Sequence, residues 1–260
     1  MSDMITLKHI DLLFGKGTVN EVRLFNDFNF SLQKGQFVSV VGSNGSGKTT
    51  LLNLICGTLQ PDKGDILLNG SPITKLPEHE RMKNIGRVFQ DPLKGTCGNL
   101  TILENMSLAD SKGKFFGLSH AVSRAKLDKY RANLESLKLG LEDKLNSKVG
   151  ALSGGQRQAL ALLLVSMTPV DLLILDEHTA ALDPNSSETV MELTDKIIKE
   201  KQLTALMVTH NLRYAVQYGD RLVMMHEGGT VKDVAAEEKR ATTVEDLLGI
   251  FNAISIECGN

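Results

Sequence analysis

Apolar and polar side chains alternate over Ile5 to Phe14 and again over Glu21 to Leu32, with a glycine-containing break between them. A period of two sends successive side chains to opposite faces, so this pattern predicts two half-buried antiparallel strands. Phe37 to Val41 is a compact β-rich run ending in a glycine loop, after which Leu51, Leu52, Leu54 and Ile55 follow at helical spacing. The loop therefore joins a strand to a helix. Three later apolar runs, Ile85 to Phe89, Leu172 to Asp176 and Thr204 to Thr209, read as buried strands, each followed by turn or helix signals. That rhythm indicates a parallel sheet with helical crossovers.

Between Asp91 and Met167 the sequence turns polar and helix-compatible, including Ser123 to Lys138, with no convincing strand. Pro184 behind Asp183 marks a helix start, and Val190, Leu193 and Ile197 give that helix one apolar face up to Lys201. A last helix is expected to begin at Thr242, where Thr242 and Glu245 have capping-box spacing, with little chain after Phe251. The expectation is an α/β fold: a mainly parallel sheet, an N-terminal antiparallel β-subdomain and an inserted α-helical subdomain at about residues 91–167. One domain over residues 1–253 and a short tail at 254–260 complete it, and no repeat or linker interrupts the pattern.

Composition narrows the classes. The 260 residues suffice for one large core. A formal charge of -2 argues against a basic nucleic-acid surface, so no nucleic-acid partner is expected. Cys56, Cys97 and Cys258 are odd in number and form no CxxC pair, which disfavours a disulfide framework and a zinc site and fits a reducing cytoplasm. The opening residues lack the basic start and apolar run of a signal peptide, so the mature chain is expected to be the whole chain. Ala159 to Val165 and Leu172 to Leu175 fall far short of the roughly 20 residues that span a bilayer as a helix. Any membrane role needs a separate partner.

Gly42-Ser43-Asn44-Gly45-Ser46-Gly47-Lys48-Thr49 fits GxxxxGK[ST], placed after a strand and at a helix start. Such a loop turns backbone N–H groups towards phosphate oxygens, with Lys48 reaching the β- and γ-phosphates and Thr49 placed to ligate magnesium. Leu172 to Glu177 is an apolar strand ending in two acids, where side chains face the ligand crevice of a parallel sheet. Asp176 is placed to hold magnesium through water, and Glu177 to orient or deprotonate an attacking water. Leu152-Ser153-Gly154-Gly155-Gln156 precedes a buried-looking helix from Arg157 to Met167, a second helix N-terminus fitted for anion binding; taken by itself, it reads more readily as a flexible N-cap.

GSNGSGKT, LSGGQ and LLILDE in this order resemble the ABC ATPase family, and the resemblance covers nearly the whole chain. It implies a P-loop NTPase core that binds ATP and Mg2+, with Gly42 to Thr50 as the phosphate loop. It further implies that Phe14 stacks on adenine, that Gln90 of Val88-Phe89-Gln90-Asp91 is a Q-loop residue near metal and water, and that Asp183 communicates across a dimer. His210 of Val208-Thr209-His210-Asn211 becomes the γ-phosphate switch, and Leu152 to Gln156 the signature that meets the opposite protomer's ATP. Thr49, Gln90 and Asp176 form the implied metal set, and Glu177, His210 and Gln90 the catalytic set.

The implied assembly is a homodimer on the cytoplasmic face of the membrane, docked near Gln90 and the helical lobe to an integral-membrane permease. The segments GTVNEV, KLPEH, GRVFQDP, DEHTAALD and MVTHN are similar to a narrower bacterial group of ABC subunits assigned to tryptophan or tyrosine transport. That implies an importer of amino acids or similar small solutes, served by an extracytoplasmic substrate-binding protein. One departure stands out: His178 occupies the place where most family members have proline, which puts the stiffness of that loop in question. Two other readings remain open at this point. One is a soluble ABC ATPase without transport, similar to those of iron-sulfur assembly; the other is an ATP-dependent binding module with negligible turnover, against which Glu177 and His210 argue.

Overall fold

The computed structural model describes residues 2–113, 122 and 126–257. His120, Arg124 and Cys258 lie outside the described residues. Two sheets organise the rest. The first is antiparallel: β2 (Val22–Gln33) beside β1 (Asp3–Phe14), then β4 (Lys63–Leu68) and β5 (Ser71–Pro72). The second has the order β10 (Gly229–Ala235), β9 (Arg221–His226), β3 (Phe37–Gly42), β8 (Thr204–Val208), β7 (Leu172–Asp176) and β6 (Ile85–Val88). Its pairings are parallel except for the β9–β10 hairpin.

Strand β7 is apolar at every position up to Asp176, yet its period of two still sorts it. Leu172 and Ile174 pack with Phe25, Phe28 and the helix α1 (Lys48–Cys56), under the antiparallel sheet. Leu173 and Leu175 face the other way, against α5 (Gly154–Ser166) and α6 (Pro184–Lys201). A strand covered on both faces has no polar side, which is why the sequence there shows a continuous apolar run. A third, smaller core closes the far edge, where Leu222, Met224 and Val234 meet Leu247 of α9 (Val244–Glu257).

After α2 (Glu78–Arg81), which precedes β6, the chain forms α3 (Ile102–Asp110), α4 (Leu127–Glu135) and α5 between β6 and β7, and α7 (Leu212–Gln217) lies between β8 and β9. Lys126 and Lys129 both face Asp110, tying α4 to α3. Helix α1 is anchored from below by Arg81, which donates to the carbonyl oxygens of Leu54 at 2.6 Å, Thr74 at 2.8 Å and Leu76 at 3.0 Å. A cation at a helix C-terminus meets the negative end of the backbone dipole, which offsets the burial of this guanidinium.

The last helix corrects one expectation. Its cap is Thr243 with Asp246: the Thr243 N–H donates to Asp246 Oδ2 at 2.8 Å, and the Asp246 N–H to Thr243 Oγ1 at 3.2 Å. Thr242, one residue earlier, closes α8 (Ala236–Ala241) by donating to the Glu238 carbonyl. Either threonine has an acid three residues on, so the spacing rule could not choose between them. Strands β4, β5, β9 and β10 were absent from the expectation.

Candidate active site

The loop after β3 is shaped by backbone that tolerates no ordinary side chain. Gly47, the N-cap of α1, has φ 100°, and a Cβ there would lie 2.9 Å from the Phe25 ring. No side chain caps the helix, so its first-turn amides are left to an anionic ligand. Lys48 is buried and folds back on the loop, its Nζ donating to the carbonyl oxygens of Gly42 and Ser43 at 2.8 Å each. Burial pushes its pKa down, and the Glu177 charge works in the opposite direction.

Glu177 follows the end of β7 with φ 47°, a left-handed conformation unusual outside glycine. Its N–H donates to the Val208 carbonyl at 2.9 Å, and Oε1 lies 2.7 Å from His210 Nε2. The carboxylate and imidazole, read separately in the sequence, are thus in direct contact. They share a cavity of about 390 Å³ with Phe14, Val22, Lys48 and Thr49. Leu24, Asn44, Gly45, Ser46, Gly47 and Thr50 complete its lining. Phe14, 42% exposed, supplies an apolar wall with Val22 and Leu24.

A second cavity of about 640 Å³ adjoins the first, since Thr49 and Glu177 line both. Here Gln90 and Asp176 join them. The donor set of Thr49 hydroxyl, Gln90 amide and Asp176 carboxylate is all oxygen, which fits a hard cation of the magnesium kind. A larger hollow of about 900 Å³ sits at the opposite ends of the parallel strands, lined by residues such as Lys34, Asp171 and Tyr218. It contains none of the predicted site residues, so chemistry rather than size locates the site.

His178 is fully buried, and its Nε2 lies 3.0 Å from Thr194 Oγ1 on α6. The Thr194 hydroxyl already donates to the Val190 carbonyl, so the imidazole N–H is the donor in this pair. Burial pushes His178 down to about 4, leaving it neutral. Where most family members have a proline ring, this position carries a neutral hydrogen bond to the neighbouring helix.

Ser153 caps α5 in a reciprocal box: the Gln156 N–H donates to Ser153 Oγ at 3.2 Å, and the Ser153 N–H to Gln156 Oε1 at 3.3 Å. Leu152 is buried, whereas Ser153 and Gly154 are exposed, and none of the five signature residues lines the cavity of Lys48. Gly155 packs against α6, where a Cβ would lie 2.8 Å from Ser186. Asp183 caps α6 by accepting from the Ser186 N–H at 3.0 Å, and hydrogen bonding to Ser186 holds its carboxyl below the usual range.

Sequence reasoning missed three participants. Arg87 pairs with Asp176, Asn53 pairs with Arg87, and His226, given no role, places Nδ1 3.3 Å from Ser43 Oγ in the phosphate loop. Only Arg87 left a signal, as a charge inside an otherwise apolar strand.

Comparison with known proteins gives the family. The family model described as ABC transporter matches residues 25–180. A tyrosine transport ATP-binding protein of Clostridioides difficile is 46% identical over 248 residues, covering 95% of this chain and 98% of the relative. The ABC transporter ATP-binding protein YxdL of Bacillus subtilis is 34% identical, covering 98% of this chain and 95% of its own. Among solved structures, an ATP-binding cassette of an ABC transporter in its ADP conformation superposes with TM-score 0.79 at 25% identity over 100% of both chains. A dimeric cassette in a post-hydrolysis state bound to ADP and Pi gives TM-score 0.75 at 28% identity, covering 89% of this chain and 98% of that one. Among the described residues no helix is long and apolar enough to cross a membrane. With a matching family model over more than half its length and near full-length relatives on either side of the motifs, this chain belongs to the ABC transporter family as an ATP-binding and ATP-hydrolysing subunit of a transport system.

Proposed function

We propose that this chain is the homodimeric motor of an amino-acid importer, each ATP lying between the Lys48 loop of one copy and the Ser153 loop of the other. The observation that carries the reading is a separation. Within one chain the phosphate loop, Glu177 and His210 share a cavity, while Ser153 and Gly154 are exposed elsewhere. A second copy supplies the missing wall, and a cassette to which the chain is similar is dimeric with ADP and Pi bound. Lys48 exchanges its loop carbonyls for the β- and γ-phosphate oxygens, and Phe14 stacks on the base. Glu177 accepts the proton of the attacking water, and His210 orients that carboxylate through its 2.7 Å contact before reaching the γ-phosphate. Thr49, Gln90 and Asp176 would hold Mg2+, which supplies charge neutralisation on the phosphate oxygens. Asp183 relays the state of one site to the other copy.

Around the motor we place a permease against the Gln90 face and the helical segment, with an extracytoplasmic substrate-binding protein feeding it. The relative named for tyrosine transport favours an amino-acid cargo. Glu177→Gln tests the chemistry: turnover should fall by about 100-fold or more while ATP binding persists, because the amide keeps shape and loses basicity. Phosphate release within twofold of wild type would remove Glu177 from the role.

A further inference from the structure

Arg87 sits in β6 among the buried residues Ile85, Gly86 and Val88. Its side chain is 8% exposed, and its Nε is buried without a hydrogen-bond partner among the described residues. Burying a guanidinium is costly unless its donors are met, so the contacts it does make are informative. Nη2 donates to Asp176 Oδ2 at 2.6 Å and Nη1 to Asn53 Oδ1 at 3.1 Å. The guanidinium carbon also lies 4.9 Å from the Phe89 ring centroid.

Those three contacts fall on three different segments, and each is at or beside a proposed metal ligand. Asp176 is itself one. Asn53 stands one helical turn after Thr49 on α1, and Phe89 immediately precedes Gln90. One planar, rigid group therefore braces every segment that contributes an oxygen to the set. We propose that Arg87 is a positioning residue of the ATPase, fixing Asp176, helix α1 and the Gln90 segment in the arrangement that receives magnesium.

The inference rests on the proposed metal set, and two effects of opposite sign compete in it. A positive charge beside Asp176 weakens that carboxylate's attraction for a cation, whereas bracing removes the cost of ordering three segments. Magnesium demands near-ideal octahedral geometry and keeps several waters, so its contact with Asp176 is screened while its geometric demand is strict. Nη2 occupies Oδ2 and leaves Oδ1 outside this bond. Bracing prevails, and loss of Arg87 weakens metal binding.

The test measures binding of a fluorescent non-hydrolysable ATP analogue to the full chain, first in EDTA and then across a magnesium titration. Arg87→Met should raise the magnesium midpoint by about tenfold, as loss of residues that orient metal ligands does elsewhere, with affinity in EDTA within about twofold of wild type. Asn53→Ala, which removes one arm and keeps the ion pair, should shift the midpoint by about threefold. It carries the test if Arg87→Met does not fold. Arg87→Lys, with the charge but not the fork, should resemble Arg87→Met. An unchanged or lowered midpoint in the variants that fold overturns the inference. Asp176→Asn, titrated in parallel, separates the two levels. If it too leaves the midpoint unmoved, the metal set itself is wrong; if it alone shifts, only the role of Arg87 fails.

Discussion

The Lys48 loop and the Ser153 loop are both glycine-containing N-termini of helices, yet they are finished in opposite ways. Helix α1 has no side-chain cap, and its loop is closed on itself by a buried lysine bonded to two loop carbonyls. Helix α5 has a complete capping box, lies open at Ser153 and Gly154, and is braced from behind by Arg157, which donates to the carbonyls of Val149, Gly150 and Leu152. An uncapped terminus keeps its amides for a ligand and binds phosphate tightly, whereas a capped one has already given an amide to Ser153. In the proposed dimer it would make the second, lighter contact on a phosphate held by the first.

Removing the stronger partner should therefore cost most. Lys48→Ala is expected to weaken ATP binding by about 10- to 100-fold, the scale of a lost charge-assisted hydrogen bond at a desolvated site. Calorimetric titration reads this directly, and an unchanged affinity would break the comparison at its first term. On the other side, Gly155→Val should act through packing, since any Cβ there meets Ser186. Overpacking α5 against α6 should cost about 1–3 kcal/mol and tilt the signature terminus. Thermal melts and hydrolysis by the variant should fall together; lost hydrolysis at wild-type stability would make Gly155 a phosphate contact alone.

A smaller effect concerns the loop that carries Glu177. Burial holds His178 at about 4, against 6.5 when unperturbed. Between those values the unfolded chain binds a proton that the folded chain refuses. The group's stabilisation is thus complete above pH 6.5 and is lost as pH falls towards 4. At pH 5 the loss is about 2 kcal/mol, or some 4–8 °C in melting temperature. His178→Gln should flatten that acid-side decline, and parallel declines in both proteins would show that His178 does not titrate as its burial requires.

Much of this was legible because phosphate chemistry fixes residue types at short spacing. Gly42 to Thr49, Leu152 to Gln156 and Asp176-Glu177 could be read as units. What stayed hidden depends on distance along the chain. Arg87 meets Asp176 across 89 residues and Asn53 across 34, and His178 meets Thr194 across 16, so no local pattern announces them. Two hairpins were legible and went unread. Asn69-Gly70 and Glu227-Gly228 each have positive φ at both residues, the two-residue turn that joins twisted strands. The first is among the strongest short hairpin signals a sequence offers; the second substitutes glutamate for asparagine or aspartate and is weaker. Position 178 could be flagged as a departure from proline, but only the fold reveals what replaces the ring.

The central claim is that the Ser153 loop completes a site on another copy, and mixing two disabled chains tests it most directly. Lys48→Ala and Ser153→Arg chains, each expected to be nearly inactive alone, should form mixed dimers in which one site has both an intact phosphate loop and an intact signature. Random pairing gives such dimers in about half of the population at equal mixing, so hydrolysis should rise clearly above both parents at matched total concentration. Activity in the mixture no greater than the average of the two parents, with wild-type hydrolysis per chain independent of concentration and only monomers sedimenting under turnover, would contradict the shared site.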